Sequence, residues 1–339
     1  MSSPPLLTVI MPTFNGAAFL PAALQSVLRQ TDGVPLEIIV LDDGSTDETL
    51  AILESFQRQL PLTIERRPRV GNWVANTNAG IRQARGDYVA FLHQDDMWLP
   101  ERLTVFQRLA RSFPRTGVFL NPSYFIDARG RQVGWWRCPL PANRPLEPAR
   151  WFRALCVQNY IAIPAPIVRR DLLESVGALD ESLTYTADWK LWLELASRSG
   201  AVRANRATTC FRVHAQSQTS GAVRNLAAYR QQQERVLTAY QPALARLPGA
   251  GRWLKAARLS IEVNLWLAGY VNGQRPRCRQ LAIECLKAGP LATATYWRAS
   301  RIGERLGARL RAGLRAAPAP AASGFTPGGP ASGGQSSGS

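Results

Sequence analysis

Gly86-Asp87-Tyr88-Val89-Ala90-Phe91-Leu92-His93-Gln94-Asp95-Asp96 is a short apolar run that stops in a cluster of polar side chains. The run Tyr88 to Leu92 reads as a buried strand, and Pro100 opens a helix behind it. The same pattern occurs twice upstream. Leu6 to Met11 is an apolar run entering the loop Pro12-Thr13-Phe14-Asn15-Gly16. Leu36 to Leu41 is a β-branched run stopped by Asp42-Asp43-Gly44-Ser45.

Helical patterns separate these runs. Ala17 to Gln30 carries Phe19, Ala23, Leu24, Val27 and Leu28 at helical spacing. Asp47 is placed to cap a helix through Leu60, and Ala75 to Arg85 reads as a helix stopped at Gly86. Leu62 to Glu65 is a third, weaker strand. Strands alternating with helices imply a parallel sheet with right-handed crossovers. Ligands of such sheets bind outside the carboxyl ends of the strands. Thr13 with Asn15, Asp42 with Asp43, and Asp95 with Asp96 stand at three such ends.

Further along, Pro139 to Pro148 reads as a Pro-rich loop, Ile161 to Val168 as a strand and Asp171 to Val176 as a short helix. A Trp-rich helix follows from Asp188 to Arg198, and a strand from Ala207 to Val213 leads to His214. After Gly221 the pattern is helical. The tail from Pro318 to Ser339 is Pro, Ala, Gly and Ser, a composition expected to be disordered.

The first 220 residues resemble the inverting glycosyltransferases of family 2, with the GT-A fold. The resemblance lies in Val9 to Asn15, Val40 to Asp47, Gly86 to Asp96, Leu179-Asp180-Glu181 with Ala187-Asp188-Trp189, and Arg212-Val213-His214, in that order. It implies an open, mostly parallel sheet flanked by helices, with a C-terminal helical appendage. The expected division is a catalytic domain over 1–220, a basic helical region over 221–316 and a tail over 317–339.

The resemblance also implies residue roles. Asp43 would accept hydrogen bonds from the nucleobase of a nucleotide-diphospho-sugar donor, with Thr13 and Asn15 beside it. The family's Asp-x-Asp motif carries its second aspartate onto Asp95, whereas its first position is His93, a departure. Asp95, with Asp96 adjacent and His214 in reach, would bind the donor diphosphate through Mn²⁺ or Mg²⁺, hard cations suited to oxygen ligands. The alternative for Asp96 is a cap for the helix near Pro100. An inverting transfer needs one general base, and that position falls on Asp188, which is also placed to cap its helix. Arg212 would face the diphosphate. Trp189 and Trp192 would stack on an acceptor or fill the core.

Charge is unevenly placed. Of the 339 residues and net charge of +17, Gly221 to Ala316 holds 17 Lys plus Arg against 4 Asp plus Glu, a balance of +13. Between Trp297 and Leu314, Ile302, Leu306, Leu310 and Leu314 recur every four residues beside Arg298, Arg301, Arg305 and Arg309. That is a basic amphipathic helix, expected either on an anionic membrane surface or packed on the enzyme. Trp266, Leu267 and Tyr270 form a second candidate interfacial patch.

The N-terminal segment lacks a secretory pattern, and no run of 18 apolar residues occurs. The five cysteines show no metal-ligand spacing and read as reduced core thiols. The expected location is the cytoplasm, peripheral on the inner face of the cell membrane. A glycan or lipid-linked acceptor is expected there, in cell-envelope or extracellular polysaccharide synthesis. Rival readings are a non-catalytic scaffold of a glycan assembly complex, a nucleotidyltransferase and a basic nucleic-acid-binding protein. No nucleic-acid module is present, so that partner is not expected. The loop after the first strand is not a Gly-rich phosphate loop, which disfavours a nucleotidyltransferase.

Overall fold

The computed structural model describes residues 6–30, 34–214, 225–271 and 278–314. The tail from Pro318 lies outside the described residues.

The chain begins with β1 (Leu7–Thr13), α1 (Leu20–Leu28), β2 (Leu36–Asp42), α2 (Thr49–Phe56), β3 (Leu62–Arg66), α3 (Trp73–Gln83) and β4 (Tyr88–Phe91). These four strands are mutually parallel, in the order β3-β2-β1-β4. Every residue of β1 is buried, because helices cover both faces and the strand has no solvent side. α3 starts where the Asn72 side chain accepts from Val74 N–H at 3.0 Å. It then packs so close to the sheet that a Cβ on Gly80 would lie 2.6 Å from Ile10 Cγ2. Gly86 passes the backbone of Thr8 in the same way, which fixes the entry to β4.

The next elements are β5 (Met97–Trp98), α4 (Arg102–Ser112), β6 (Val118–Leu120), β7 (Ser123–Ile126), β8 (Gln132–Trp136), β9 (Pro145–Leu146) and α5 (Pro148–Val157). Then come β10 (Ile167–Arg169), α6 (Arg170–Ser175), α7 (Ala187–Arg198), β11 (Ala201–Arg203) and β12 (Thr209–Arg212). The main sheet continues past β4 as β10-β6-β11-β9, eight strands in all. β10 runs antiparallel to both β4 and β6, so the parallel order is broken next to the carboxyl end that carries Asp95. A second sheet, β5-β12-β7-β8, brings residues 209–212 beside residues 97–98.

The expected strand from Ile161 to Val168 shrinks to Ile167–Arg169. Pro164 and Pro166 cannot donate to a ladder. Instead the buried Arg102 guanidinium takes the carbonyls of Pro164 at 2.8 Å and Ala165 at 3.3 Å, and also Asn121 Oδ1 at 2.8 Å. Burial pushes the Arg102 pKa down to about 9.

The C-terminal helices are α8 (Leu226–Ala245), α9 (Ala250–Val271), α10 (Cys278–Ala288), α11 (Pro290–Ser300) and α12 (Ile302–Leu314). The expected single helix from Trp297 to Leu314 is two, because Arg301 adopts the left-handed φ of 50° between them. α12 lies on β8. Its Ala308 is fully buried against Phe125 and Val133, and Arg311 Nε donates to Val133 O. Ile302 and Leu306 pack into a core with α9 and α11, whereas Leu310 is exposed. The expected patch at Trp266 divides likewise: Leu267 is buried, and Trp266 stacks on the exposed Tyr270. No described helix is long and apolar enough to cross a membrane. All five cysteines are free thiols; Cys138, Cys156 and Cys210 are buried, Cys285 is half-buried and Cys278 is exposed.

Candidate functional site

The loops after β1, β2 and β4 are joined into one rim. Asp43 N–H donates to Thr13 O at 2.9 Å, and the Thr13 hydroxyl donates to Met11 O at 3.3 Å. Asn15, held at φ 44°, donates from its backbone to Ser45 Oγ at 2.9 Å and accepts from Thr46 N–H at 2.8 Å through Oδ1. Both groups of Asn15 therefore weld the first loop to the second. Gln94 joins the third loop by a reciprocal pair with Phe14: Phe14 N–H donates to Oε1 at 2.8 Å and Nε2 donates to Phe14 O at 2.9 Å. A Cβ on Gly16 would collide with that Gln94 side chain. Asp47 is not the cap residue of α2, whose flanking residue is Glu48 and which ends at Phe56, short of the expected Leu60; it accepts from Thr49 N–H at 3.0 Å and from Ala17 N–H at 3.1 Å.

Asp43 is buried and reaches away from its own turn. Its oxygens accept from Val70 N–H at 2.8 Å and Gly71 N–H at 2.9 Å, and Arg69 pairs with it. Burial alone would raise this carboxyl. The bonds from Val70, the Asn76 side chain and Gly71, with the Arg69 charge, outweigh it and hold the pKa below the usual value. The Arg69 guanidinium also lies over the Phe14 ring, 3.3 Å from its centroid. Asp42, by contrast, serves its own turn through Ser45 N–H at 3.1 Å. Arg69 was not singled out from the sequence, although Arg66, Arg67 and Arg69 cluster at the end of β3.

The aspartates after β4 have different surroundings. Asp95 Oδ2 meets His214 Nε2 at 2.9 Å. Burial works to raise the Asp95 carboxyl, but the His214 hydrogen bond and the His93 and His214 charges lower it overall. Asp96 is buried and accepts from Arg212 N–H at 3.0 Å through Oδ1; Oδ2 has no partner among the described residues. Burial and the neighbouring Asp95 charge push the Asp96 carboxyl well up, against the Arg212 hydrogen bond and charge. Asp96 does not cap α4, whose first flanking residue is Glu101. His93 lies edge-on to Trp73, ring centroids 5.1 Å apart. Burial holds its imidazole below the ordinary value, against the pull of Asp95.

Arg212 departs from its expected role. Its guanidinium is committed to the carbonyls of Asp95 at 2.7 Å and Asp127 at 3.0 Å, and it stacks on Phe19. It positions the Asp95 backbone and has no spare fork for a diphosphate.

Asp188 sits in the first turn of α7, after the flanking residue Thr186, where a carboxylate suits the positive end of the helix dipole. It is thus not the cap residue itself. Asn159 Nδ2 donates to its Oδ2 at 2.9 Å, and Trp189 N–H to its Oδ1 at 2.7 Å. Asn159, alone in a loop after α5, carries no sequence signal. The approach to α7 is braced from α3: Asn78 Nδ2 donates to Leu179 O and Glu181 Oε1, each at 2.9 Å, and Trp73 Nε1 to Thr184 O at 3.0 Å. From α8, Gln232 Oε1 accepts from Tyr185 N–H at 2.9 Å. Trp73 thereby links the His93 loop to the Asp188 loop. Trp189 and Trp192 are both buried, and Trp189 Nε1 donates to Leu155 O at 2.7 Å, so neither is available to stack on an acceptor.

Among the described residues, no group of three or more His, Cys, Asp or Glu forms a metal cluster. Asp95 and His214 offer one hard oxygen and one imidazole nitrogen. Two such ligands fit a cation that takes its remaining oxygens from a substrate diphosphate and water.

Residues 8–176 match the family model described as glycosyl transferase family 2. An uncharacterized glycosyltransferase of Rickettsia prowazekii is 27% identical over 227 residues, covering 66% of this chain and 69% of that one. Another of Nostoc sp. is 36% identical over 113 residues, 33% of this chain and 34% of that one. Among solved structures, S. aureus TarS 1-349 in complex with UDP-GlcNAc superposes with a TM-score of 0.60. It is 17% identical, with 91% of this chain and 90% of that one covered, a likeness of fold.

Proposed function

This chain belongs to glycosyl transferase family 2, and from that premise we propose that it is an inverting enzyme using a nucleotide-diphospho-sugar donor. The observation that carries this reading is the placing of three carboxylates. Asp43 follows β2, Asp95 follows β4 beside His214, and Asp188 stands in the first turn of α7 across a bridge made by Trp73. The donor class also accords with the UDP-GlcNAc bound to TarS, a protein of like fold.

In the proposed reaction Asp43, with the Thr13–Asn15 rim, holds the nucleobase end. Asp95 and Asp96 border the diphosphate. Mn²⁺ or Mg²⁺ held by Asp95 and His214 would act as a Lewis acid on the leaving diphosphate. Asp188 takes the proton of an acceptor hydroxyl. The hydroxyl oxygen then attacks the anomeric carbon from the face opposite the diphosphate. The bond from that carbon to the diphosphate oxygen breaks, the electron pair leaves with the nucleoside diphosphate, and configuration inverts. The acceptor is a glycan or lipid-linked hydroxyl of cell-envelope or extracellular polysaccharide synthesis. The enzyme works on the cytoplasmic face of the membrane, where its basic C-terminal helices favour an anionic surface.

A screen of nucleotide sugars for hydrolysis and transfer, with Mn²⁺ and with Mg²⁺, tests this reading. One donor is turned over, and proton NMR of the product shows the inverted anomer. Retained configuration would exclude the single displacement. Binding of nucleotide sugars without turnover on any acceptor would favour a scaffold.

A further inference from the structure

α10 and α11 form a helical hairpin turned at Gly289, whose φ is 83°, and fastened where the Thr293 hydroxyl donates to Cys285 O at 3.2 Å. α11 sends Ala292, Tyr296 and Ala299 into the core with α9. α10 contributes no fully buried residue. The end of the hairpin is apolar and faces solvent: Leu286 is 80% exposed and Leu291 72%, and Trp297, about two turns back along α11, is 58% exposed. Leu286 and Trp297 border a groove between the two helices, lined also by Ala282, Cys285 and Ala294. Exposed apolar side chains gathered at one place, rather than scattered singly, mark a contact surface.

The placing of charge identifies what it contacts. Arg279 and Arg298 are exposed and make no ion pair among the described residues. Each lies seven residues back from a tip leucine, Arg279 from Leu286 and Arg298 from Leu291. Along a helix that is about 10 Å. Lys287, beside the tip, is paired with Glu284 at 2.8 Å. The hairpin thus has an apolar tip and a cationic collar behind it. About 5–10 Å is the depth to which apolar side chains enter a bilayer interface, and arginines at that height reach the phosphates. The excess of +13 over residues 221–316 supplies a long-range attraction of the same sign.

We propose that the α10–α11 tip docks into an anionic lipid bilayer, with Leu286 and Leu291 in the interface and Trp297, Arg279 and Arg298 at the level of the headgroups. This rests on the membrane reading given above and specifies its contact. It moves that contact from α12, which turns Ala308 and Arg311 toward β8, to the hairpin before it.

Co-sedimentation of the full chain tests it, with vesicles of phosphatidylcholine alone and of phosphatidylcholine mixed with phosphatidylglycerol. Wild type sediments with the anionic vesicles and is partly released by salt. The double variant Leu286→Gln/Leu291→Gln partitions more than tenfold more weakly, since two leucines no longer leave water. Its melting temperature and donor turnover stay at wild-type values, which separates lost docking from misfolding. Brominated lipid chains quench a fluorescence component that Trp297→Phe lacks. If wild type binds and the double variant binds equally, the tip is not the contact, though the membrane reading stands. If wild type ignores both vesicle types, both fall. Self-association of wild type that the double variant loses, without vesicle binding, would assign the surface to a second copy and overturn the proposal.

Discussion

Asn159 donates from Nδ2 to Oδ2 of Asp188 at 2.9 Å, and this one bond ties the end of α5 to the start of α7. Asn159 Oδ1 meanwhile accepts from Ile161 N–H at 3.1 Å, so the amide is fixed in orientation from both ends. The neighbouring Gln158 is held from α9 by the Ser260 hydroxyl at 2.8 Å. Asp188 is thereby set by residues far from it in sequence, as a base needs to be if it is to meet an acceptor hydroxyl at hydrogen-bond range.

Replacing Asp188 by Asn should abolish transfer while donor binding persists. Loss of a general base costs about 10² to 10⁴ in rate. Asn159→Ala, which removes the bond to Asp188 Oδ2 and leaves that from Trp189 N–H to Oδ1, should lower kcat by about tenfold at unchanged donor KM. Steady-state kinetics with the preferred donor read both. Wild-type turnover by Asp188→Asn would remove that residue from the mechanism.

Asp95→Ala should weaken donor and cation binding together, because the position between Asp95 and His214 is where both would meet. Calorimetric titration of the donor with and without Mn²⁺ measures this. Unchanged affinity together with an unchanged metal response would mean that any cation sits elsewhere.

Asp43→Ala should raise donor KM by about 100-fold and leave kcat for bound donor nearly intact if, as proposed, it holds the nucleobase end. Arg69→Ala is the informative companion. The guanidinium now closes over Asp43 and Phe14. If it occupies the nucleobase position, its removal will tighten nucleotide binding; if it holds the base, its removal will weaken it. No change in either direction would separate Arg69 from the donor site.

The strand ends were legible because each apolar run stops abruptly at polar residues, carboxylates after β2 and β4 and Thr13 with Asn15 after β1, and β1, β2 and β4 follow the sequence pattern within a residue or two. β10 was mistaken in length because two prolines hid in an apolar run whose carbonyls are taken by Arg102. Of the second sheet only β12 is legible, as the strand read from Ala207 to Val213; β5 has two residues and β7 four, too few to show alternation. Arg212 was legible as important but not in its role. Sequence marks a cation near a metal-ligand candidate; only the fold reveals that backbone carbonyls have claimed it. Asn159 was invisible because its partner lies 29 residues away.

Asp180 introduces a pH dependence into the loop before α7. Burial tends to raise its carboxyl, but hydrogen bonds from Lys190 and Ser182 outweigh this and hold the pKa at about 2. The folded value lies below the unfolded one, so the stabilisation is complete above the unfolded value of about 4 and is lost as pH falls toward the folded value. Denaturant midpoints of wild type and Asp180→Asn should differ by a constant amount from neutral pH down to about 4, and converge below that. A difference that widened on acidification would contradict the assignment.

The last prediction separates the two roles open to α12. Ala308 is fully buried between α12 and β8, and a Cβ on Gly134 would come within 2.9 Å of its own Cβ. Glu304 on the same helix accepts from Arg137 N–H at 3.4 Å and pairs with the Arg137 side chain. A helix so seated contributes to folding, and its removal would expose Phe125 and Val133. Ala308→Glu places an unpaired carboxylate in that contact. It should cost about 3 kcal/mol, or partly detach the helix, and lower the melting temperature by several degrees. Attachment through the α10–α11 tip should survive at temperatures where the variant is folded. Were α12 instead lying on the bilayer with this face, Ala308→Glu would leave melting in solution unchanged and reduce vesicle binding. Calorimetry and co-sedimentation on the same variant therefore give opposite patterns for the two arrangements, and the burial of Ala308 favours the first.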